Sequence, residues 1–161
     1  MKFKKLISVL LAIVITLSII PLSVLNVFAV SDSGAEISVK STYAASGSEI
    51  NVDLIIKNNP GILGMTLNLE YDDEFATLTS IVSGEALSYM TFTPPKNLQS
   101  GCNLPWDAQD VEESDINDGV IATLTFEISE EAVPGYEIDI DLSYTTGAII
   151  DKDMNPIKVT I

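Results

Sequence analysis

A period of two runs through most of this chain. It is clearest in Gly64-Met-Thr-Leu-Asn-Leu-Glu-Tyr-Asp72, where Met65, Leu67, Leu69 and Tyr71 alternate with Thr66, Asn68 and Glu70. Successive side chains of a strand point to opposite faces, so this stretch has one apolar face and one polar face. The apolar face needs a second sheet to cover it. The polar face is flat and open to contact.

Similar segments flank it. Residues 30–36 read as a short polar lead-in, and Ile37 to Thr42 as a strand. Glu49 to Lys57 puts Ile50, Val52, Leu54 and Ile56 on one side. Asn58-Asn-Pro-Gly61 is a turn, because Pro fixes φ and Gly accepts positive φ. Phe75 to Val82 reads as a strand with a bulge or as a short helical turn, ended by Ser83-Gly84. Ala86 to Thr93 reads as a strand stopped at Pro94-Pro95. Cys102 to Ala108 is a short strand with the only Trp, Trp106, and Gln109 to Gly119 is an acidic loop.

Val120 to Ile128 is the longest regular alternation, with Val120, Ala122, Leu124, Phe126 and Ile128 on one side and Ile121, Thr123, Thr125 and Glu127 on the other. Pro134-Gly135 marks a corner before another alternating run, Tyr136 to Tyr144. Gly147 to Ile150 and Ile157 to Ile161 close the pattern, joined by Asp151-Lys-Asp-Met-Asn-Pro156. Roughly nine short strands with turn signals between them, and no long helix, predict an all-β antiparallel β-sandwich.

The first 29 residues have a different character. Lys2, Lys4 and Lys5 precede an uncharged apolar run from Leu6 to about Leu25, followed by Val27-Phe28-Ala29. A basic start, an apolar middle and a small-residue site make a secretory signal peptide, with cleavage expected after Ala29. Pro21 and the Val-x-Ala site favour processing over a retained membrane anchor. The protein is therefore expected outside the cell, free or in a cell-surface assembly. Residues 30–36 would be a linker and residues 37–161 the domain.

Cleavage changes the charge balance. The chain has eight Lys, no Arg and 23 Asp plus Glu, a net charge of −15. Three of the lysines and none of the acids lie in the leader, so five lysines against 23 acids leave −18. Such a surface repels phosphate backbones and anionic membranes, which argues against a nucleic-acid partner or a membrane surface after cleavage. The chain has no His. That removes the Ser-His-Asp and Cys-His machineries, the usual zinc sites and the common proton shuttle near neutral pH. A lone cysteine, Cys102, leaves no internal disulfide, so stability must come from the core.

Two runs and the order of the closing segments resemble the cohesin family. Gly61-Ile-Leu-Gly-Met-Thr-Leu-Asn-Leu-Glu-Tyr-Asp72 is similar to the cohesin strand that ends in an aromatic followed by Asp. Asn117-Asp-Gly-Val-Ile-Ala-Thr-Leu-Thr-Phe-Glu-Ile128 is similar to the Asp-Gly-x-x-Ala-x-x-x-Phe signature of a late cohesin strand. Pro134-Gly135, Gly147-Ala-Ile-Ile-Asp151 and the last strand follow in the family's order. The resemblance implies a nine-stranded sandwich of jelly-roll topology. It also implies a function, which is to hold the dockerin module of an enzyme or scaffold protein, as in cellulosomes. Association with plant polysaccharide would then be indirect.

Carried over by position, the resemblance places the partner-binding face at Thr66, Asn68 and Glu70, with Tyr89, Thr91, Thr93 and Ala108 beside them and Met154 as an apolar contact. Familiar cohesins carry Asn and Asp where Gly64 and Thr66 stand, and Tyr and Glu where Thr93 and Ala108 stand. Losing hydrogen-bonding groups changes partner choice, so a distinct dockerin set is expected.

Other candidate chemistry gives way to simpler readings. Trp106, next to Leu104 and Pro105, is expected in or near the core, although an exposed ring there would suit a carbohydrate-binding module on a similar sandwich. Asp151-x-Asp153-x-Asn155 has the opening spacing of a calcium loop, but Pro156 takes the place of the required Gly, so an Asx-rich turn is expected. Pairs of carboxylates arise by chance among 23 acids and do not by themselves indicate catalysis. Cys102 is expected as a partly buried apolar residue. No enzyme activity, metal or other cofactor is expected.

Overall fold

The structure, a computed structural model, describes residues 30–161; the expected signal peptide lies outside the described residues. Ten strands follow in chain order: β1 (Ser31–Val39), β2 (Glu49–Lys57), β3 (Ile62–Tyr71), β4 (Ala76–Ser83), β5 (Thr91–Phe92), β6 (Cys102–Asp107), β7 (Gly119–Ile128), β8 (Ile140–Ser143), β9 (Ile149–Asp151) and β10 (Ile157–Thr160). They form two sheets. The first has the order β10-β1-β2-β7-β4, and the second β5-β6-β3-β8 with β9 also against β3. The expected β-sandwich is therefore present. β1 and β10 pair in parallel, and the other named pairs are antiparallel.

β3 is the axis of the second sheet. β6 runs along one side of it from Gly64 to Leu69. On the other side β9 pairs with its start and β8 with its end. Met65, Leu67, Leu69 and Tyr71 are buried, as their alternation predicts. They meet Val52, Leu54, Leu124 and Phe126 of the first sheet in one core. Tyr71 and Phe126 touch edge to face across the layers, with ring centroids 5.1 Å apart.

Four local expectations are corrected. The polar lead-in of residues 30–36 is the first part of β1, where Ala35 is buried and Ser31 pairs with Ile157. A register shift between Asp32 and Glu36, with Gly34 at φ 68°, breaks the alternation there, and the backbone ladder holds the strand instead. Ala86 to Thr93 is not one strand. A 3-10 turn (Glu85–Leu87) buries Ala86 and Leu87 together, and only Thr91–Phe92 pairs. A side chain at Gly84 would run into the carbonyl of Val120, so this turn packs directly on β7.

Ile121, expected to face outward, is buried together with Ala122. The β2–β7 register shifts where Leu54 meets Ala122 and Ile55 meets Val120, so Ile121 is the extra residue of a bulge and turns inward. The run from Tyr136 yields a strand only at Ile140–Ser143. Tyr136 instead closes the end of the sandwich. Its hydroxyl donates to Asp72 Oδ2 at 2.6 Å, and its ring meets Phe75 edge to face at 4.8 Å.

That contact makes a pH prediction. The hydrogen bond from Tyr136 holds the Asp72 carboxyl below its ordinary range, helped by the backbone N–H of Glu74. The Asp72 carboxylate pushes the Tyr136 phenol up to about 12. A raised phenol contributes stability that is complete below the unfolded value near 10 and lost as pH rises through about 12. A lowered carboxyl contributes stability that is present above its unfolded value and lost as pH falls through the folded one. Replacing Tyr136 by Phe should flatten both flanks of the stability–pH curve, in a thermal unfolding series from pH 2 to pH 12. Unchanged flanks would mean that the bond does not hold in solution.

Candidate partner-binding face

The outward residues of the second sheet form cross-strand rows. Thr91 and Asp107 pair, Asp107 pairs with Gly64, and Gly64 with Ile150. In the next row Pro105 stands opposite Thr66, whose backbone N–H donates to the Ala148 carbonyl at 3.0 Å, and Thr93 donates to the Pro105 carbonyl at 3.2 Å. Asn103, Asn68 and Ser143 make a third row, and Glu70 and Asp141 a fourth. Inward residues alternate with these along β6, where Leu104 and Trp106 are buried.

The structure brings Thr66, Asn68, Glu70, Thr91 and Thr93 onto this one surface. Asn68 uses its amide donors within the sheet, to the Gly101 carbonyl at 3.0 Å and Asn103 Oδ1 at 3.3 Å. Among the described residues the hydroxyls of Thr66, Thr91 and Thr93 form no side-chain hydrogen bond. The outer face of the first sheet differs. There Thr123 donates to Asp53 and Thr125 to Asn51, each at 2.9 Å, and Lys40 lies 3.9 Å from Asp53. Glu49 and Glu127 also stand opposite each other on that face, so it mixes paired and unpaired polar groups, whereas the second sheet presents three free threonine hydroxyls.

Three expected site residues lie off the rows. Tyr89 is half-buried against the core and donates its hydroxyl to the Ile62 carbonyl at 2.7 Å. Burial raises its phenol above the ordinary value. Ala108 packs against the core just past β6, held by its N–H on the Leu63 carbonyl. Met154 is 70% exposed, at the tip of the β9–β10 turn, with φ 61°. Asp151 Oδ1 accepts from the N–H groups of Asp153 and Asn155 in that turn, the arrangement of an Asx turn.

The face also holds residues that sequence reading left out: Asn103, Pro105 and Asp107 of β6, Asp141 and Ser143 of β8, and Ile150 of β9. The β6 residues were legible, since an inward Leu104 and Trp106 put their neighbours outward. Ile150 was not, because pairing of β9 with the start of β3 is non-local. Trp106 is only 2% exposed, so no sugar platform forms on it. Burial also raises the Cys102 thiol, which is half-buried beside the core.

Two packed sheets with these strand orders place the chain among β-sandwich domains. The model of the cohesin domain matches residues 35–161, and the chain belongs to the cohesin family. Cohesin modules are non-catalytic protein–protein interaction modules. No curated protein matches the sequence. Among solved structures, the sixth cohesin of scaffoldin B from Acetivibrio cellulolyticus, in complex with a mutant Cel5 dockerin, is 20% identical with a TM-score of 0.61, over 78% of this chain and 94% of that one. A non-cellulosomal cohesin from the archaeon Archaeoglobus fulgidus is 20% identical with a TM-score of 0.62, over 78% and 84%. A type III cohesin from the cell-surface anchoring scaffoldin ScaE of Ruminococcus flavefaciens is 12% identical with a TM-score of 0.64, over 79% and 88%. At these identities the likeness is one of fold.

Proposed function

We propose that this protein is an extracellular module that docks a dockerin on the outer face of β3, β5 and β6, in a cellulosome-type assembly. The observation that carries the reading is the set of Thr66, Thr91 and Thr93 hydroxyls left uncommitted on the outer face of the second sheet, around a centre of Pro105 and Ala148. A flat, preformed face of small side chains suits a helix pair, whose own side chains supply the relief. Family membership and the dockerin-bound Acetivibrio cohesin support the same partner. The basic and apolar leader supports export.

The test is a pull-down with residues 30–161 as bait against the secreted proteins of the source organism. Recovery of dockerin-bearing chains is the expected result. Failure against a complete panel of that organism's own dockerins would remove the proposal. Cleavage after Ala29 is checked by N-terminal sequencing of the secreted form, which should begin at Val30.

A further inference from the structure

The docking face is not uniform along β3. At its start Ile150 points outward from β9 and lies over the bare backbone of Gly64, where an added Cβ would sit 3.3 Å from Ile150 Cγ1. Pro105, Thr66 and Ala148 continue this patch, with the single exposed carboxylate of Asp107 at its edge beside Gly64. Six residues on from Gly64, Glu70 stands directly opposite Asp141, and both are exposed on the same face. Like charges directly opposed across strands lower stability. Neither carboxylate forms an ion pair among the described residues, where the one ion pair is Lys40 with Asp53 on the other sheet. Asp107, at the apolar end, has uncharged cross-strand neighbours, Thr91 and Gly64.

The geometry points to a polarised docking face: an apolar side chain of the dockerin helix rests on Ile150, and a Lys or Arg farther along the same helix sits between Glu70 and Asp141. This inference rests on the dockerin reading above and adds the orientation and chemistry of the partner. Six strand residues span about 20 Å. A helix laid along β3 rises 1.5 Å per residue, so the two groups are about 13 residues apart in the partner. A carboxylate pair that destabilises the free module becomes a complementary site when a cation lies between its members. Gly64 belongs to the same device, because even a Cβ there would press on Ile150 at 3.3 Å.

The probe is the dockerin recovered by the pull-down, made as a recombinant module and titrated calorimetrically at low and high salt. The Glu70→Lys, Asp141→Lys double variant should bind at least about tenfold more weakly and lose much of its salt dependence. In Glu70→Gln, which removes the like-charge pair, binding should also weaken while Tm stays level or rises. Opposite signs for binding and stability exclude a merely structural role. Ile150→Thr should weaken binding with the salt dependence intact. Lys→Glu or Arg→Glu in the dockerin, about 13 residues from its apolar contact, should restore binding to the double variant. If the wild-type module binds the dockerin and the double variant binds it equally well, the polarised face is wrong and the dockerin reading stands. If the wild-type module binds no dockerin, both fall.

Discussion

Replacing Trp106 by alanine is expected to cost about 3–5 kcal/mol of folding stability, the range for truncating a large buried aromatic. The ring is 2% exposed and lies 4.7 Å from Phe92, centroid to centroid. Deleting it removes the transfer free energy of the indole and leaves a cavity between the sheets that the strands cannot collapse to fill. The indole N–H adds little, since its bond to Ser83 Oγ is long, at 3.4 Å. Domains of this size are stable by only about 5–15 kcal/mol, so the variant should be close to unfolding at growth temperature. Phenylalanine at the same position should recover much of the loss by refilling the space. Urea unfolding of the three proteins checks this. A Trp106→Ala loss below about 1 kcal/mol, the level of an ordinary surface change, would mean that the ring is not packed as described.

Replacing Thr66 by arginine is expected to weaken dockerin binding by about 100-fold, or about 2.7 kcal/mol, with little change in Tm. Thr66 is the middle of the face, with Pro105 on one side and Ala148 on the other. Interface centres are packed as densely as interiors, so a long charged side chain there must either be desolvated or hold the partner away. The module itself should tolerate the change, because the side chain points out of the sheet. Glu127→Arg on the outer face of the first sheet is the control and should bind normally. Calorimetric titration beside thermal unfolding separates the two effects. A Thr66→Arg variant with full affinity would place the docking surface elsewhere.

Much of the fold was legible from periodicity because burial is local information in a strand. Met65, Leu67, Leu69 and Tyr71 face a core that any covering sheet would complete, and their alternation states this without reference to the partner strands. The errors came where backbone geometry overrode the period. Ile121 turns inward at a bulge, and Ala86 and Leu87 are buried together in a 3-10 turn, which period-two reasoning cannot represent. Polar residues 31–36 form a strand because β10 supplies their ladder, and no side-chain pattern announces a backbone pairing across the length of the domain.

The proposed docking face divides in the same way. The outward positions of β3 follow from alternation alone, and so do Asn103, Pro105 and Asp107 once Trp106 is placed inward. Family resemblance supplied a role for that face and added Tyr89, Ala108 and Met154, which lie beside the rows rather than within them.

By itself the sequence determined the class of fold, the inward side of each strand, the acidic surface and the lack of histidine chemistry, because each of these is set by residue type and local spacing. Tertiary structure alone decided which strands are neighbours. It set Glu70 against Asp141 and laid Ile150 over Gly64. Those pairings join residues far apart in the chain, and their energies arise only when the sheet ladder brings them together.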